Sequence, residues 1–321
     1  MEYCTNNLAC TAQARRQIGK LGSKSILKHI SRLRQLGFTF ALMLPSAAAL
    51  AATQLVPAWR CNAEVLISSS FEDETSVRAS LGSGGAFPQQ SQITIGSTSG
   101  AVTYHYDVPA GYSPERPAPL MILLHGAAGP GGQPFAAASV RDAWAQAGLG
   151  DLIVVAQESS GSMGGWIPSA DLTKLRAVLA SARTRYNVDL NRIYGWGFSA
   201  GAHLMHGIAL APTGAPELFA GYGISAGALQ AFVGITAPQN APRKVPLHIH
   251  QGVDDGVVPL KIVQADVVRF QSAGWISEFG PSQNLYFETF NGGHEFENTH
   301  AQRIWLDLCR FAEVANQPMA K

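Results

Sequence analysis

The sequence has little charge and no strong excess of either sign. Charged residues make up 14% of its 321 residues, and 23 Lys and Arg stand against 22 Asp and Glu, for a formal net charge of +1. This balance excludes a typical nucleic-acid-binding protein, which carries a basic excess. A hydrophobic content of 46% excludes a charged, disordered chain, because it is enough to form a core. We find no internal repeat of roughly 20–50 residues.

Strong local charge is confined to the N-terminus. Up to Ala51, seven Lys and Arg residues and one Glu give a charge of +6, which leaves −5 for the rest of the chain. The basic stretch leads into an apolar run at 36–44 and small residues at 47–52, which is the order of a secretory signal. The apolar run is shorter than the roughly 18–20 residues that span a bilayer.

We therefore predict that residues 1–52 are a signal peptide with a long basic n-region. The mature protein is predicted to be secreted or periplasmic, without a stable membrane anchor. An N-terminal amphipathic or buried helix is the alternative.

Cysteine is scarce, with four residues in the whole chain. Loss of the signal peptide would remove Cys4 and Cys10 and leave Cys61 and Cys309, an even pair in an oxidising compartment. A disulfide bond between Cys61 and Cys309 would tie the two ends of the domain together. Two buried free thiols are the alternative.

The remaining sequence divides into two parts. Residues 62–92 are rich in Ser, Gly and acidic residues, and we predict that 53–92 is a poorly ordered N-terminal segment with one short strand at 63–67. In 93–321, short apolar runs alternate with stretches of helical periodicity. This predicts a single α/β domain with a doubly wound, mostly parallel sheet and helices on both faces. The predicted strands are 102–108, 120–124, 152–156, 192–196, 218–224, 245–250 and 285–290, and the predicted helices are 140–147, 172–186, 200–210, 261–273 and 301–315.

The motif Gly-x-Ser-x-Gly occurs twice, around Ser199 and around Ser225. It forms a sharp strand-to-helix turn that exposes a strained serine, and its glycines let the strand and the helix approach closely. Ser199 has this context, because the predicted strand 192–196 precedes it and the predicted helix 200–210 follows it. Ser199 is therefore the predicted nucleophile.

Candidates for an acid and a base follow two later strands. Asp254 and Asp255 come directly after the strand predicted at 245–250, and carboxyl ends of strands are where such sheets bind ligands. His294 lies in a Gly-flanked loop after the strand at 285–290, where it has no core to pack into. The choice between the two aspartates stays open at this point, and His300 is the alternative base.

The order Ser, Asp, His along the chain is that of α/β-hydrolases. In that fold the acid lies two strands beyond the nucleophile, so a helix and a strand must fit between them. They fit after Ser199. From Ser225 only 19 residues remain before position 245, which is too few for the whole crossover. Ser225 is therefore predicted to end the intervening strand.

Catalysis at such a serine also needs two backbone N–H groups that stabilise an oxyanion. Ala200, at the start of the helix after the nucleophile, is predicted to supply one. Ala127, in a small-residue loop after the first buried strand, is predicted to supply the other. Trp166 and Phe198 are candidates to line the substrate pocket, with core packing as the alternative.

The other histidines are predicted to be structural. His125 follows a buried strand and is expected to shape its loop. His203 and His206 are one helical turn apart, but no Cys or carboxylate cluster completes a metal site around them, so packing or surface placement is expected. His248 and His250 share one face of a strand. We predict no metal and no cofactor.

Several segments resemble the secreted esterases grouped with polyhydroxybutyrate depolymerases and feruloyl or acetylxylan esterases. The resemblance rests on residues 106–112, 119–126 and 186–194, on the box around Ser199 and on Gly292-Gly293-His294, and it covers about residues 100–311.

The acid motif of that family is Gly-x-x-Asp-x-x-Val-Pro. Gly252, Asp255, Val258 and Pro259 match it, which implies that Asp255 rather than Asp254 is the acid. Two positions depart from the family pattern: many members have Cys at the position of Ala127, and a second Gly is common at the position of Ala202.

The resemblance implies a serine esterase with the α/β-hydrolase fold, in which Ser199 attacks the acyl carbon, His294 carries the proton and Asp255 orients the imidazole. The expected substrate is a small-molecule or polymer-derived ester, and no nucleic acid is expected. A polyester depolymerase or a peptidase with the same triad is the alternative among enzymes. A non-catalytic binding protein of the same fold is the alternative outside them.

Overall fold

A computed structural model of the chain describes residues 79–82, 89–229, 234 and 236–312. All of them belong to the compact unit Val56–Lys321. The predicted signal peptide 1–52, the strand predicted at 63–67 and Cys61 lie outside the described residues, so these stay predictions. Within the described ranges, no helix combines the length and the apolar character that crossing a membrane requires.

Within the described residues, eight strands form one sheet in the order β1-β2-β4-β3-β5-β6-β7-β8. The first two strands pair antiparallel, and β2 pairs antiparallel with β4. All pairings from β4 onwards are parallel. The strands are β1 Gln89–Ile95, β2 Val102–Val108, β3 Ala118–Leu124, β4 Ile153–Gln157, β5 Val188–Phe198, β6 Gly221–Ser225, β7 Leu247–Gly252 and β8 Leu285–Phe290.

Helices cover both faces of the sheet. The helices are α1 Gln133–Gln146, α2 Pro168–Arg185, α3 Ala200–Leu210, α4 Ala237–Asn240, α5 Leu260–Ser272 and α6 Asn298–Leu308, with a 3₁₀ turn at Pro216–Leu218. On one face, α1 and α6 pack around a core that includes Trp144, Trp196 and Trp305. On the other face, α2, α3 and α5 cover a larger core. Strands β3, β4, β6 and β7 are buried at every residue because both of their faces are covered.

The predicted fold class is therefore confirmed: the chain has a doubly wound, mostly parallel sheet with helices on both faces. Two predicted strands, 102–108 and 285–290, and the predicted helix 200–210 have the observed bounds. The apolar runs at 120–124 and 152–156 also mark strands, β3 and β4, because both are buried on their two faces.

Most of the other predicted bounds shift by one to a few residues, and the strand predicted at 192–196 extends over Val188–Phe198. Three of the shifts have a clear local cause or are large. The strand predicted at 218–224 begins at Gly221, because the residues around Pro216 form a 3₁₀ turn. The helix predicted at 301–315 ends at Leu308. The helix predicted at 140–147 begins at Gln133, with Pro134 in its first turn, where proline is favoured because no N–H is needed.

The sheet also includes residues that were assigned to the N-terminal segment 53–92. Strand β1 begins at Gln89, and Ala79 forms an isolated bridge with Asp189. Ser80 is hydrogen-bonded to Val188 through both its backbone N–H and its hydroxyl. The domain therefore begins earlier than the predicted boundary at 93.

Cys309 follows α6 and is disulfide-bonded. Its predicted partner, Cys61, lies outside the described residues, so the pairing stays a prediction.

His206, on α3, is completely buried between aromatic rings. Its Nδ1 atom lies 3.2 Å from the Tyr222 hydroxyl, and its ring stacks on Phe270. Burial, with a smaller effect of His203, lowers the pKa of His206 from 6.5 to about 3. The imidazole is therefore a neutral part of the core, which is the packing alternative of the two that the sequence left open.

This buried imidazole makes the stability of the protein depend on pH. Between pH 6.5 and 3 the unfolded chain binds a proton at His206 that the folded chain does not bind, so the free energy of unfolding falls as the pH falls. The loss from this residue is about 1.4 kcal/mol per pH unit. We expect His206→Gln, which does not titrate, to show a shallower decline between pH 6.5 and 5 in urea denaturation. Equal slopes for the two proteins would contradict the assignment.

Candidate active site

Ser199 occupies a strained turn between β5 and α3. Its backbone has φ 51° and ψ −117°, in a region that residues with a side chain rarely adopt. The Ser199 N–H donates to the carbonyl oxygen of Ser225 at 2.9 Å, which ties the turn to the end of β6. The strain is therefore supported by the neighbouring strand, and the geometry is that of a nucleophile elbow.

The glycines of this motif are required by close backbone contacts. A Cβ atom at Gly201 would collide with the carbonyl oxygens of Leu124 and His125, at the end of β3. A Cβ atom at Gly197 would collide with the carbonyl group of Gly201. Helix α3 therefore begins directly against the ends of β3 and β5, which only glycine allows.

His294 lies in the loop after β8 and contacts both Ser199 and Asp255. Its Nε2 atom is 2.9 Å from Ser199 Oγ, and its Nδ1 atom is 2.9 Å from Asp255 Oδ2. An ionised carboxylate only accepts hydrogen bonds, so Nδ1 carries the proton and Nε2 is free to accept the serine hydroxyl proton. The structure thus brings together the predicted nucleophile, base and acid, which are separated by up to 95 residues along the chain.

Asp255 is buried, at 4% exposure, and its carboxylate accepts several hydrogen bonds. The backbone N–H groups of Val257 and Val258 each donate to Oδ1 at 2.8 Å. Burial alone would raise the pKa of Asp255, but the hydrogen bonds from Val258, His294 and Val257 outweigh it and hold the pKa below its ordinary value. Asp255 is therefore a stable anion beside His294.

The adjacent Asp254 is exposed, and its described hydrogen bond is made by its backbone N–H to the carbonyl oxygen of Gly292. The choice between the two aspartates, which the residues alone left open, is thus made by the geometry: Asp255, and not Asp254, contacts His294.

Sequence reasoning missed Gln251, the last side chain of β7 before the acid loop. It is fully buried, and its Nε2 donates to Asp255 Oδ2 at 3.1 Å and to the Val258 carbonyl at 2.9 Å. Gln251 therefore fixes both the carboxylate and the loop that carries it. The available signal was a polar residue at the end of an apolar strand, since a buried amide needs partners.

The loop after β3 approaches the nucleophile, as expected for an oxyanion site. A Cβ atom built on Gly126 would lie 3.3 Å from Ser199 Cβ, which places the loop directly beside the serine. Ala127 follows in this loop, and Ala200 is the first residue of α3. Their backbone N–H groups donate no hydrogen bond to another residue in the described part of the chain.

His125 and Trp166 support this loop from behind. The Ser159 N–H donates to His125 Nε2 at 3.2 Å, so His125 carries its proton on Nδ1 and donates it to the Gly126 carbonyl oxygen at 2.6 Å. Trp166 Nε1 donates to the His125 carbonyl oxygen at 2.9 Å, and the two rings are in contact. Burial lowers the pKa of His125, so it remains neutral and shapes the loop, as the sequence predicted.

A cavity of about 430 Å³ opens beside the triad. Phe198 lines it, and Phe135 and Phe296 contribute two further aromatic rings. A contact between Phe198 and a substrate stays a prediction. Trp166, the other candidate, is 7% exposed and does not line this cavity. Its position under the loop explains the difference, because its indole packs against His125 instead.

The remaining candidates lie away from the reacting atoms. Ser225 is 1% exposed, and its hydroxyl accepts a hydrogen bond from Trp196 Nε1 at 3.2 Å. His300 is in the first turn of α6, where its Nδ1 accepts a hydrogen bond from the Glu297 N–H in a capping box. Ser225 and His300 therefore take no part in the hydrogen bonds that join Ser199, His294 and Asp255.

No protein-family model and no curated protein matches this chain. Solved structures match its fold. A thermostable esterase has 20% sequence identity and a TM-score of 0.50, over 71% of this chain and 60% of that chain. A CE1 ferulic acid esterase from Anaeromyces mucronatus, solved with ferulic acid, has 15% identity and a TM-score of 0.53, over 73% of this chain and 94% of that chain.

An acylaminoacyl peptidase from Pyrococcus horikoshii has 13% identity and a TM-score of 0.50, over 74% of this chain and 43% of that chain. The chain thus spans less than two thirds of this peptidase and of the thermostable esterase. At these identities the likeness concerns the fold, and it identifies the chain as a protein with the α/β-hydrolase fold, resembling esterases and peptidases of that fold.

The close contact at Gly201 gives a direct test of the elbow. In Gly201→Ala, the new methyl group collides with two backbone carbonyls that cannot move freely. We expect a loss of about 1–3 kcal/mol in the free energy of unfolding, measured by urea denaturation. Gly165→Ala is the matched control, because its Cβ atom meets nothing within 4 Å. A loss at Gly165 as large as that at Gly201 would contradict the close-packing argument.

Proposed function

We propose that the protein is a serine hydrolase that cleaves carboxylic esters through an acyl-enzyme intermediate. The observation that carries the proposal is the continuous chain of hydrogen bonds from Ser199 Oγ through His294 to Asp255, each 2.9 Å long, at a strained elbow. A serine hydroxyl is a weak nucleophile unless a base is placed to take its proton. His294 supplies that base.

The first half of the reaction would acylate Ser199. Its Oγ attacks the acyl carbon while its proton passes to His294 Nε2, and the imidazolium is stabilised by the Asp255 anion at Nδ1. The tetrahedral intermediate then collapses, the bond to the alcohol breaks, and His294 returns the proton to the leaving oxygen. The second half repeats these steps with water as the nucleophile and the acid as the product.

Two backbone groups are proposed to stabilise the negative charge of the tetrahedral intermediate. The Ala200 N–H lies at the start of α3, where the helix dipole favours an anion. The Ala127 N–H lies in the loop that Gly126 brings against Ser199. These groups need no metal and no cofactor, in keeping with the triad chemistry that we propose.

The cavity beside the triad is proposed to bind an apolar group of the ester. Its lining combines the aromatic rings of Phe135, Phe198 and Phe296 with small residues of the oxyanion loop and of α1. The sequence resemblance to feruloyl esterases and the fold of the ferulic acid esterase from Anaeromyces mucronatus agree with such a substrate.

We also propose that the protein is exported. The order of basic, apolar and small residues in 1–52 supports this. The disulfide bond at Cys309 supports it as well, because disulfides persist mainly in oxidising compartments.

The proposal makes Ser199, and not Ser225, the nucleophile. We expect wild-type protein to hydrolyse p-nitrophenyl acetate and to be labelled by a fluorophosphonate probe, and Ser199→Ala to lose both. Ser225→Ala should keep probe labelling, because its hydroxyl is buried under Trp196. The measurements are ester turnover and probe labelling resolved by gel electrophoresis.

Thermal denaturation of each variant is the control for folding, since Ser225→Ala leaves an indole N–H without its partner. An absence of labelling in folded wild-type protein would favour a non-catalytic binding protein. Faster cleavage of a matched anilide than of the ester would favour a peptidase.

The assignment of the acid gives a second test. Asp255→Asn keeps the shape of the side chain but removes the charge that holds the His294 tautomer, so kcat should fall by about 10⁴-fold. Asp254→Asn is the matched control and should keep kcat close to the wild-type value, because that side chain is exposed. The opposite pattern in ester hydrolysis would reverse the choice of acid.

A further inference from the structure

Three side chains that the proposed catalysis does not use meet on one face of the sheet. His248 and His250 alternate on β7, so they point to the same side. Glu288 lies directly opposite His250 on β8. Helix α6 covers this face, and its Asp307 contacts His248. The cluster thus joins β7, β8 and α6.

The two imidazoles in this cluster are buried, at 0% exposure for His248 and 2% for His250. His248 Nδ1 is 2.8 Å from Asp307 Oδ2, so Nδ1 carries the proton and Nε2 has a lone pair. That Nε2 atom and both ring nitrogens of His250 have no hydrogen-bond partner among the described residues. Buried polar atoms usually have partners in folded proteins, and three unpartnered imidazole nitrogens meet in this one cluster.

We propose that His248, His250 and Glu288 bind a divalent transition-metal ion of the zinc type. One ligand atom from each of the three residues lies within 4.8 Å of the other two. Two imidazoles and one carboxylate, with water in the open position, form a common donor set for zinc. His248 Nε2 is the ligand atom that the pairing with Asp307 leaves available.

The surroundings have features of a metal site beyond the three ligands. The Asp307–His248 pair matches the carboxylate–histidine arrangement that orients a metal-binding imidazole. Arg303 donates to both carboxylate oxygens of Glu288, from Nη2 to Oε1 at 2.6 Å and from Nε to Oε2 at 3.2 Å. Glu288 Oε2, which has the longer of these two contacts, also lies 3.9 Å from His250 Nδ1 and faces the histidines.

Binding requires a modest contraction of the cluster. Ligand atoms around a tetrahedral zinc ion are about 3.3 Å apart, as follows from zinc–nitrogen distances of about 2.0 Å. The Glu288 side chain is 30% exposed and can move inward, and its partner Arg303 is 60% exposed. Both can adjust without disturbing the buried histidines.

A metal ion here would act on the stability of the site and not on the reacting atoms. Strand β7 leads directly into the loop of Asp255, and β8 leads into the loop of His294. An ion bound by both strands would cross-link them just before these two loops. It would stabilise the folded protein by mass action, because the unfolded chain does not hold the three ligands together.

The experiment uses purified full-length protein, stripped with a chelator and titrated with zinc chloride. Metal content after gel filtration and the melting temperature are measured. We expect one zinc ion per chain and a rise in Tm of about 5 °C or more. His250→Asn and Glu288→Gln should each lose the bound zinc and the rise in Tm.

His105→Asn is the matched control, because His105 is a buried histidine that also pairs with a glutamate, Glu158 at 2.8 Å. This variant should bind zinc as the wild type does. Glu288→Gln decides the outcome if His250→Asn fails to fold. An absence of zinc from wild-type protein, or equal zinc binding by wild type and Glu288→Gln, would overturn the proposal. None of these outcomes depends on ester hydrolysis, so the metal site and the proposed activity fail independently.

Discussion

Parallel pairing from β4 to β8 is the constraint on which the rest of the structure depends. It brings the carboxyl ends of successive strands to one edge of the sheet, where ligands bind in this class of fold. The ends of β5, β7 and β8 carry Ser199, Asp255 and His294 into contact at that edge. The three residues are far apart along the chain, and the order of the strands is what places them side by side.

The sequence predicts seven of the eight described strands and misses the edge strand β1. Strands such as β3 are buried on both faces, so their apolar runs are unambiguous. The edge strand β1 is polar over 89–92, and Ile93 and Ile95 pack against the core, so its apolar alternation covers too few residues to indicate a strand. The short helix α4 was also missed, since four residues are too few to show helical periodicity.

The predicted triad residues and Phe198 lie at the candidate site because their motifs encode local backbone geometry. Trp166 is a candidate for the substrate pocket only because it is aromatic. Residue type does not distinguish a side chain that lines a pocket from one that packs under the loop, as Trp166 does. Gln251 could not be found from spacing, because its role depends on the folded acid loop. A buried carboxylate such as Asp255 is stable only when many donors converge on it, and that convergence arises from tertiary structure.

The hydrogen bond from the Ser199 N–H to the Ser225 carbonyl links the two copies of the Gly-x-Ser-x-Gly motif. The second copy is thus a brace for the first, and Ala226 after it also has a positive φ, 52°. The end of β6 therefore bears on the geometry of Ser199, although Ser225 and Ala226 do not line the cavity beside the triad. Substitutions at residues 225 and 226 are therefore expected to be limited by the need to keep the Ser199 hydroxyl in its orientation at the end of β5.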